Sequence, residues 1–389
     1  MTAARLWRFA SGAECAILPF VRWLSFVLLF LVVSCAKPPP PRKVTAPKPV
    51  DPQDAVKKLL GKVYKAVQAG EVDQFEELFT ADAMVFGLGP SDTYNFRDTL
   101  IQRARQELLP LGLGGSTLDI SDSRATVGLA AGDDSAWLYD LPRVTVTHKG
   151  EDSTWLPRIT GHAVKDGDRW RLDALHVSLA VSDELLAKPD ANRLLLPPAA
   201  VADERGADAD QLVGLTRRLV EDMAVKVDRA SERPGFVLVG TSPVELFEGG
   251  KTFKELVKPQ LAAIKKGGYS WKLDGPIRVR LAPNHRTGWA AGVLVMRVGT
   301  GKKVQVMPPF RALWIFVEEG GVWNLVSEHQ SLAVKQDLRE PADPAQLKAW
   351  KDMREVAARR AAAEPKPPAN GADDAGALPS KPEGDIGVW

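Results

Sequence analysis

The stretch Trp170-Arg-Leu-Asp-Ala-Leu-His176-Val-Ser178-Leu-Ala-Val181 is written a second time as Trp323-Asn-Leu-Val-Ser-Glu-His329-Gln-Ser331-Leu-Ala-Val334, without a gap. The offset, 323 − 170 = 153 residues, also carries His176 onto His329 and Ser178 onto Ser331. Upstream, the same step takes Arg158 to Arg311, Gly87 to Gly240 and Pro90 to Pro243, while Trp137 meets Trp289 one residue out. Solenoid repeats run about 20–50 residues, whereas this period has the size of a domain. Two copies of one fold stand in tandem, and each closes on W-x-L-x-x-x-H-x-S.

Each copy reads as helices followed by strands. Asp51-Pro52 is an N-cap with proline at the first helical position. Val56, Leu59, Leu60, Val63 and Val67 then form one helical face, which Gly70 ends. Val72 to Phe79 predicts a short second helix, Met84 to Phe86 a brief strand, and Phe96, Leu100, Ala104 and Leu108 a third helix. From Leu118 onward the period becomes two, predicting successive antiparallel strands to Val181. The second copy repeats the order from Leu212 to Val334. Helices followed by sheet define an α+β class.

The 389 residues carry 51 basic and 49 acidic side chains, so no basic stripe points to nucleic acid. The two cysteines, Cys15 and Cys35, precede the folded region, which excludes a disulfide framework and thiolate metal sites within either copy. No His-x-x-x-His spacing and no glycine-rich phosphate loop occur, and no cofactor or metal is implied.

Trp23 to Ser34 is an apolar run behind Arg22, too short for the ~18–20 residues of a membrane span and matched to a signal-peptide core. It ends Val32-Val33-Ser34-Cys35, which resembles the bacterial lipobox. That resemblance implies acylation of Cys35 and a lipid bilayer as partner. Prolines after Cys35 read as a semi-rigid tether. The organisation expected is therefore a signal peptide over 1–34, a tether over 35–50, domain 1 over 51–185, a linker over 186–209, domain 2 over 210–338, a charged, solvated helix within 339–363 and a disordered tail over 364–389. Ala36 is not the inner-membrane retention Asp, so the expected location is the periplasmic face of a Gram-negative-type envelope, with the outer membrane favoured.

With Trp137/Trp289 at mid-domain and the terminal Trp170/Trp323, His176/His329 and Ser178/Ser331, each copy resembles the SnoaL-like branch of the NTF2-like superfamily. The resemblance implies two tandem cones, each with N-terminal helices packed in a curved antiparallel sheet around a pocket. Relatives include isomerases, cyclases, dehydratases and non-catalytic modules. The pocket candidates are Trp137, Arg158, His176, Ser178, Trp289, Arg311, His329 and Ser331. Strict alternation places Leu172, Ala174, His176, Ser178 and Ala180 on one strand face. His176 and His329 are the catalytic candidates, as acid/base groups; the alternative is a histidine that closes a hydrogen bond within its cone. A nucleophilic triad would also require an orienting carboxylate, and the sequence places none. Asp92 and Glu245 match at the offset but read as turn residues, and Asp82 has no acidic counterpart.

The expected function is a membrane-anchored periplasmic binding or interaction module for a small apolar or anionic ligand, or for envelope proteins docking on the open sheet. Its two copies are expected to pair as an intramolecular pseudo-dimer, monomeric once the anchor is removed. The alternatives are an isomerase-, hydratase- or cyclase-type enzyme using a pocket histidine, and a structural envelope spacer.

Overall fold

The computed structural model describes residues 50–181, 206–242, 245–299, 304–335 and 339–363. Cys35, the expected signal peptide, nearly all of the tether and linker, and the tail lie outside the described residues.

Helix α1 (Pro52–Ala69) starts as its sequence directs. The Asp51 side chain accepts from Gln53 N at 2.9 Å, and Gly70 closes the helix at φ 69°, a conformation that favours glycine. A 3₁₀ turn at 72–74 and α2 (Phe75–Leu78) follow. Strand β1 (Phe79–Phe86) begins earlier than the sequence pattern suggested. Next come β2 (Thr93–Tyr94), α3 (Arg97–Leu113), β3 (Ser116–Ser121), β4 (Thr126–Leu129), β5 (Ser135–Asp140), β6 (Arg143–His148), β7 (Glu151–Trp155), β8 (Arg158–Asp166) and β9 (Arg169–Ser178).

The second half holds α4 (Ala207–Glu221), α5 (Met223–Arg229), β10 (Val237–Val239), β11 (Leu246–Glu248), α6 (Gly250–Val257), α7 (Leu261–Lys266) and strands β12 (Ser270–Leu273), β13 (Arg278–Leu281), β14 (Thr287–Val298), β15 (Gln305–Val306), β16 (Phe310–Glu319) and β17 (Val322–Leu332). The fold is α+β in two copies. The main sheets run β2-β1-β9-β8-β5-β4 and β11-β10-β17-β16-β14-β12, with β13 and β15 also paired to β14; β13 holds against β14 the place that β4 holds against β5.

Neither sheet is wholly antiparallel, as had been expected. β1 pairs with β9, and β10 with β17, in parallel. The helix and strands between them supply the long crossover that parallel pairing needs. The halves also differ where Pro142 falls. It has no N–H for a ladder, and the strand divides there into β5 and β6, so that β6 joins β3 and β7 in a separate three-stranded sheet. Leu294 stands at the equivalent position, and β14 runs through unbroken.

The repeated motif itself contains a bulge. His162 faces Ala174 and Ala163 faces Leu172, leaving Asp173 as an extra residue in β9. Ile315 faces Ser327 and Phe316 faces Leu325, leaving Val326 extra in β17 at the equivalent place. This corrects the strict alternation. Leu172 and Leu325 pack into the cores of their own halves, while Ala174 and Val326 pack into a third core.

That third core joins the halves. Met84, Phe86, Trp137 and Ala174 meet Trp289, Ala291, Leu313, Ile315, Val317 and Val326. Helix α8 (Pro344–Ala363) is not merely a solvated helix either. Trp350 is buried and donates its indole N–H to Leu141 O at 3.2 Å, and Arg354 donates to the same carbonyl at 2.7 Å. The chain beyond the second half thus returns to the first.

Candidate functional site

The repeated histidines and serines meet one another across the join. His176 Nε2 lies 2.7 Å from Ser331 Oγ, and His329 Nε2 lies 2.7 Å from Ser178 Oγ. The two imidazoles stack with centroids 3.8 Å apart and an interplanar angle of 17°. All four residues are buried. His329 Nδ1 also hydrogen-bonds Thr160 Oγ1 at 3.0 Å, whereas His176 Nδ1 is buried without a partner. The residue equivalent to Thr160 is Leu313, which has no hydroxyl to offer. Burial, then the neighbouring His329, Arg311 and Arg158, holds His176 well below the ordinary imidazole range; burial, Arg158 and Arg311 do the same to His329.

The matched arginines bind the turns of the opposite half. Arg311 donates to the carbonyls of Gly89 at 3.0 Å, Asp92 at 3.3 Å and Gly87 at 2.6 Å. Arg158 donates to Ser242 O at 3.0 Å and Thr241 O at 3.2 Å. Burial pushes both guanidiniums down to about 10. Each turn is closed by its acid: Asp92 accepts from Gly89 N, and Glu245 accepts from Thr241 N at 2.8 Å and Ser242 N at 2.9 Å. A Cβ on Gly87 would stand 2.8 Å from Asp92 Cβ, and one on Gly240 2.6 Å from Glu245 Cβ, so these matched glycines admit no side chain as the turns stand. The last strands add a reciprocal pair of bonds, Val181 N to Thr241 O at 3.1 Å and Val334 N to Leu88 O at 3.2 Å.

One buried chain of groups was not anticipated from sequence. Asp173 Oδ1 lies 2.6 Å from His162 Nδ1, and His162 Nε2 lies 2.7 Å from Thr287 Oγ1. The order carboxylate–imidazole–hydroxyl is that of a nucleophilic triad, but all three side chains are buried in the join. Trp289 Nε1 donates to Asp173 Oδ2 at 3.0 Å and completes its pairing. The sequence signal was weak because His162 and Asp173 correspond to Ile315 and Val326.

A cavity of about 700 Å³ opens inside the first half instead. Its walls are mainly apolar, among them Leu60, Phe79, Leu100, Ala104, Ile159 and Val177. At one end stand Asp92, Tyr94, Glu107 and Arg339. Arg103 binds Glu107 Oε1 at 2.8 Å, and Arg339 approaches Asp92 Oδ2 only to 4.0 Å. Burial, then Asp92, raises Glu107 above the ordinary carboxylate range, so it holds a proton more readily than a free acid. Burial and Asp92 likewise raise Tyr94. The second half encloses a smaller cavity of about 390 Å³, lined in part by Lys226, Glu245 and Gln330. Lys226 Nζ is paired there with buried Glu328 at 2.8 Å.

None of the eight residues proposed from sequence as pocket-lining borders either cavity. Trp137, Arg158, His176, Ser178, Trp289, Arg311, His329 and Ser331 all lie buried in or beside the join, with their polar atoms turned to protein. The matched residues cooperate between copies rather than around a void. Asp82 pairs with Arg280 at 2.9 Å outside the cavity. Tyr94, Glu107 and Arg339 were missed; the available signal was Glu107 itself, an acid on the apolar face formed by Leu100 and Ala104. Among the described residues no group of three or more His, Cys, Asp or Glu is arranged to hold a metal ion. No described helix is long and apolar enough to cross a membrane.

Residues 56–182 match the family model of the SnoaL-like domain. A search of curated proteins gave no match. Among solved structures, the chain is similar to an uncharacterised protein with a cystatin-like fold from Caulobacter vibrioides, at 17% identity over 34% of this chain and 91% of that one, TM-score 0.28. It is similar to an NTF2-like protein with a cystatin-like fold from Novosphingobium aromaticivorans, at 17% identity over 32% and 80%, TM-score 0.28. The S. rosetta CaMKII hub aligns at 19% identity over 34% and 100%, TM-score 0.27.

Proposed function

We propose that this chain is a lipid-anchored periplasmic binding module whose two halves form an intramolecular pseudo-dimer, with the ligand held in the first half. The observation that carries this reading is the cavity of about 700 Å³, apolar along its length and polar at one end. Its size lies within the ~300–1,000 Å³ of small-molecule sites, and so does the mixture of an apolar wall with few polar groups. The spacer reading predicts filled cones and fits this interior poorly. An enzyme working through His176 or His329 lacks support, because both rings are packed against protein.

Native mass spectrometry of the chain gently extracted from membranes is expected to find one non-covalent apolar or anionic small molecule per chain. Ala104→Trp, which projects an indole into the cavity, should abolish that adduct. The reading fails if the unmodified chain carries nothing and takes up nothing from a lipid or metabolite extract. For the anchor, Cys35→Ala should release the chain from membranes or leave it unprocessed and therefore of different mass. Unchanged mass together with unchanged partitioning would refute acylation.

A further inference from the structure

Arg339 comes from beyond the second half, yet it lines the cavity of the first. The segment carrying it is fixed on both sides. Val334 N binds Leu88 O at 3.2 Å, Ala342 N binds Thr154 O at 2.7 Å, and Trp350 reaches Leu141. The guanidinium has a side-chain exposure of 19%, and its Nε donates to Val334 O at 2.9 Å. Among the described residues its terminal nitrogens have only Asp92, at 4.0 Å and beyond hydrogen-bond range. These partly buried donors are open to a further acceptor.

Among the described residues the surrounding charges do not supply one. Asp92 is engaged by the turn, and Glu107 by Arg103. Arg311 stands behind Asp92 with its terminal nitrogens spent on carbonyls. Tyr94 contributes no charge. Among the described residues that act on one another at this end, Arg103, Arg311 and Arg339 therefore meet two carboxylates, Asp92 and Glu107, and one positive charge is left over. With Nε taken by Val334 O, the Nη1–Nη2 edge of this planar guanidinium matches a carboxylate in charge and geometry.

We infer that the cavity takes an amphiphile with an apolar body and a single carboxylate head, which Arg339 binds. This rests on the reading of the cavity as the ligand site, and it makes Arg339 the residue that selects the head group.

The test uses the full chain in phosphatidylcholine vesicles and three photoactivatable ten-carbon probes that differ only in their head: carboxylate, hydroxyl or trimethylammonium. Labelling is mapped by peptide mass spectrometry to the cavity-lining segments 97–121 and 142–159. The carboxylate probe should label them at roughly tenfold lower concentration than the hydroxyl probe, as expected for a charge-assisted hydrogen bond. Arg339→Met should erase that preference while leaving labelling by the hydroxyl probe unchanged, and Arg339→Lys should keep most of it. If Arg339→Met weakens labelling by every probe, Arg339→Lys decides, and loss of the preference there overturns the proposal. Equal labelling by all three heads in the unmodified chain sinks the head-group assignment and leaves the ligand site standing. No labelling by any probe removes both.

Discussion

Replacing Arg311 by methionine is expected to lower the unfolding free energy by about 3–5 kcal/mol, the loss typical of breaking a buried charged network. The guanidinium is fully buried and holds the carbonyls of Gly87, Gly89 and Asp92 together. Methionine fills much of the volume but donates nothing, so the three carbonyls lose this shared donor, and Gly89 O and Asp92 O keep only the turn bonds from Asp92 N and Gly87 N. The turn at 87–92 would loosen with them, and Val334 N with Leu88 O would follow. Urea unfolding with matched slopes measures the effect. Arg158→Met should behave alike, since it makes the reciprocal contacts. Arg103→Met, on the exposed side of α3, should cost about 1 kcal/mol or less. A loss below about 1 kcal/mol for Arg311→Met would mean that the turn holds itself.

Acid should also open the join. His176 and His329 are neutral in the fold because burial and the flanking Arg158 and Arg311 disfavour a proton, and among the described residues no carboxylate is hydrogen-bonded to either ring. The ordinary imidazole value is 6.5, and both folded values lie well below it. The unfolded chain therefore takes up protons near pH 6.5 while the folded chain does not. Stability is complete above that pH and falls as pH drops, until the folded histidines also titrate. Two such groups contribute up to about 2.7 kcal/mol per pH unit. The comparison is between the unmodified chain and a His176→Gln/His329→Gln variant, with urea midpoints taken from pH 7.5 to 4.5. The unmodified chain should show the steeper fall. Parallel curves would show that the rings do not govern it.

Much of this architecture was legible in the chain because the copies keep one offset. The succession of helices and strands along each copy and the matched Trp, Arg, His and Ser follow from it; the parallel pairing of β1 with β9 and of β10 with β17 does not. The face of each strand did not, since Asp173 and Val326 each add one residue in the middle of the motif and reverse the side on which the preceding Trp and Leu stand. Alternation cannot detect a bulge whose residue is Asp in one copy and Val in the other. The cavity end was hidden for a different reason. Tyr94 and Glu107 correspond to Phe247 and Gln260, and Arg339 lies outside the repeat, so attention to matched positions passed over them.

The asymmetry of the join also sets which halves can pair. The first half supplies Asp173, His162 and Thr160, and the second answers with Trp289, Thr287 and His329. At the equivalent places the second half carries Val326, Ile315 and Leu313. Two second halves brought face to face would bury an indole N–H, a hydroxyl and an imidazole nitrogen against hydrocarbon, at about 1–3 kcal/mol for each lost bond. The duplicated unit has thus become a plug and a socket. Where many copies meet, each second half is still matched to a first half, and its own is the one always within reach.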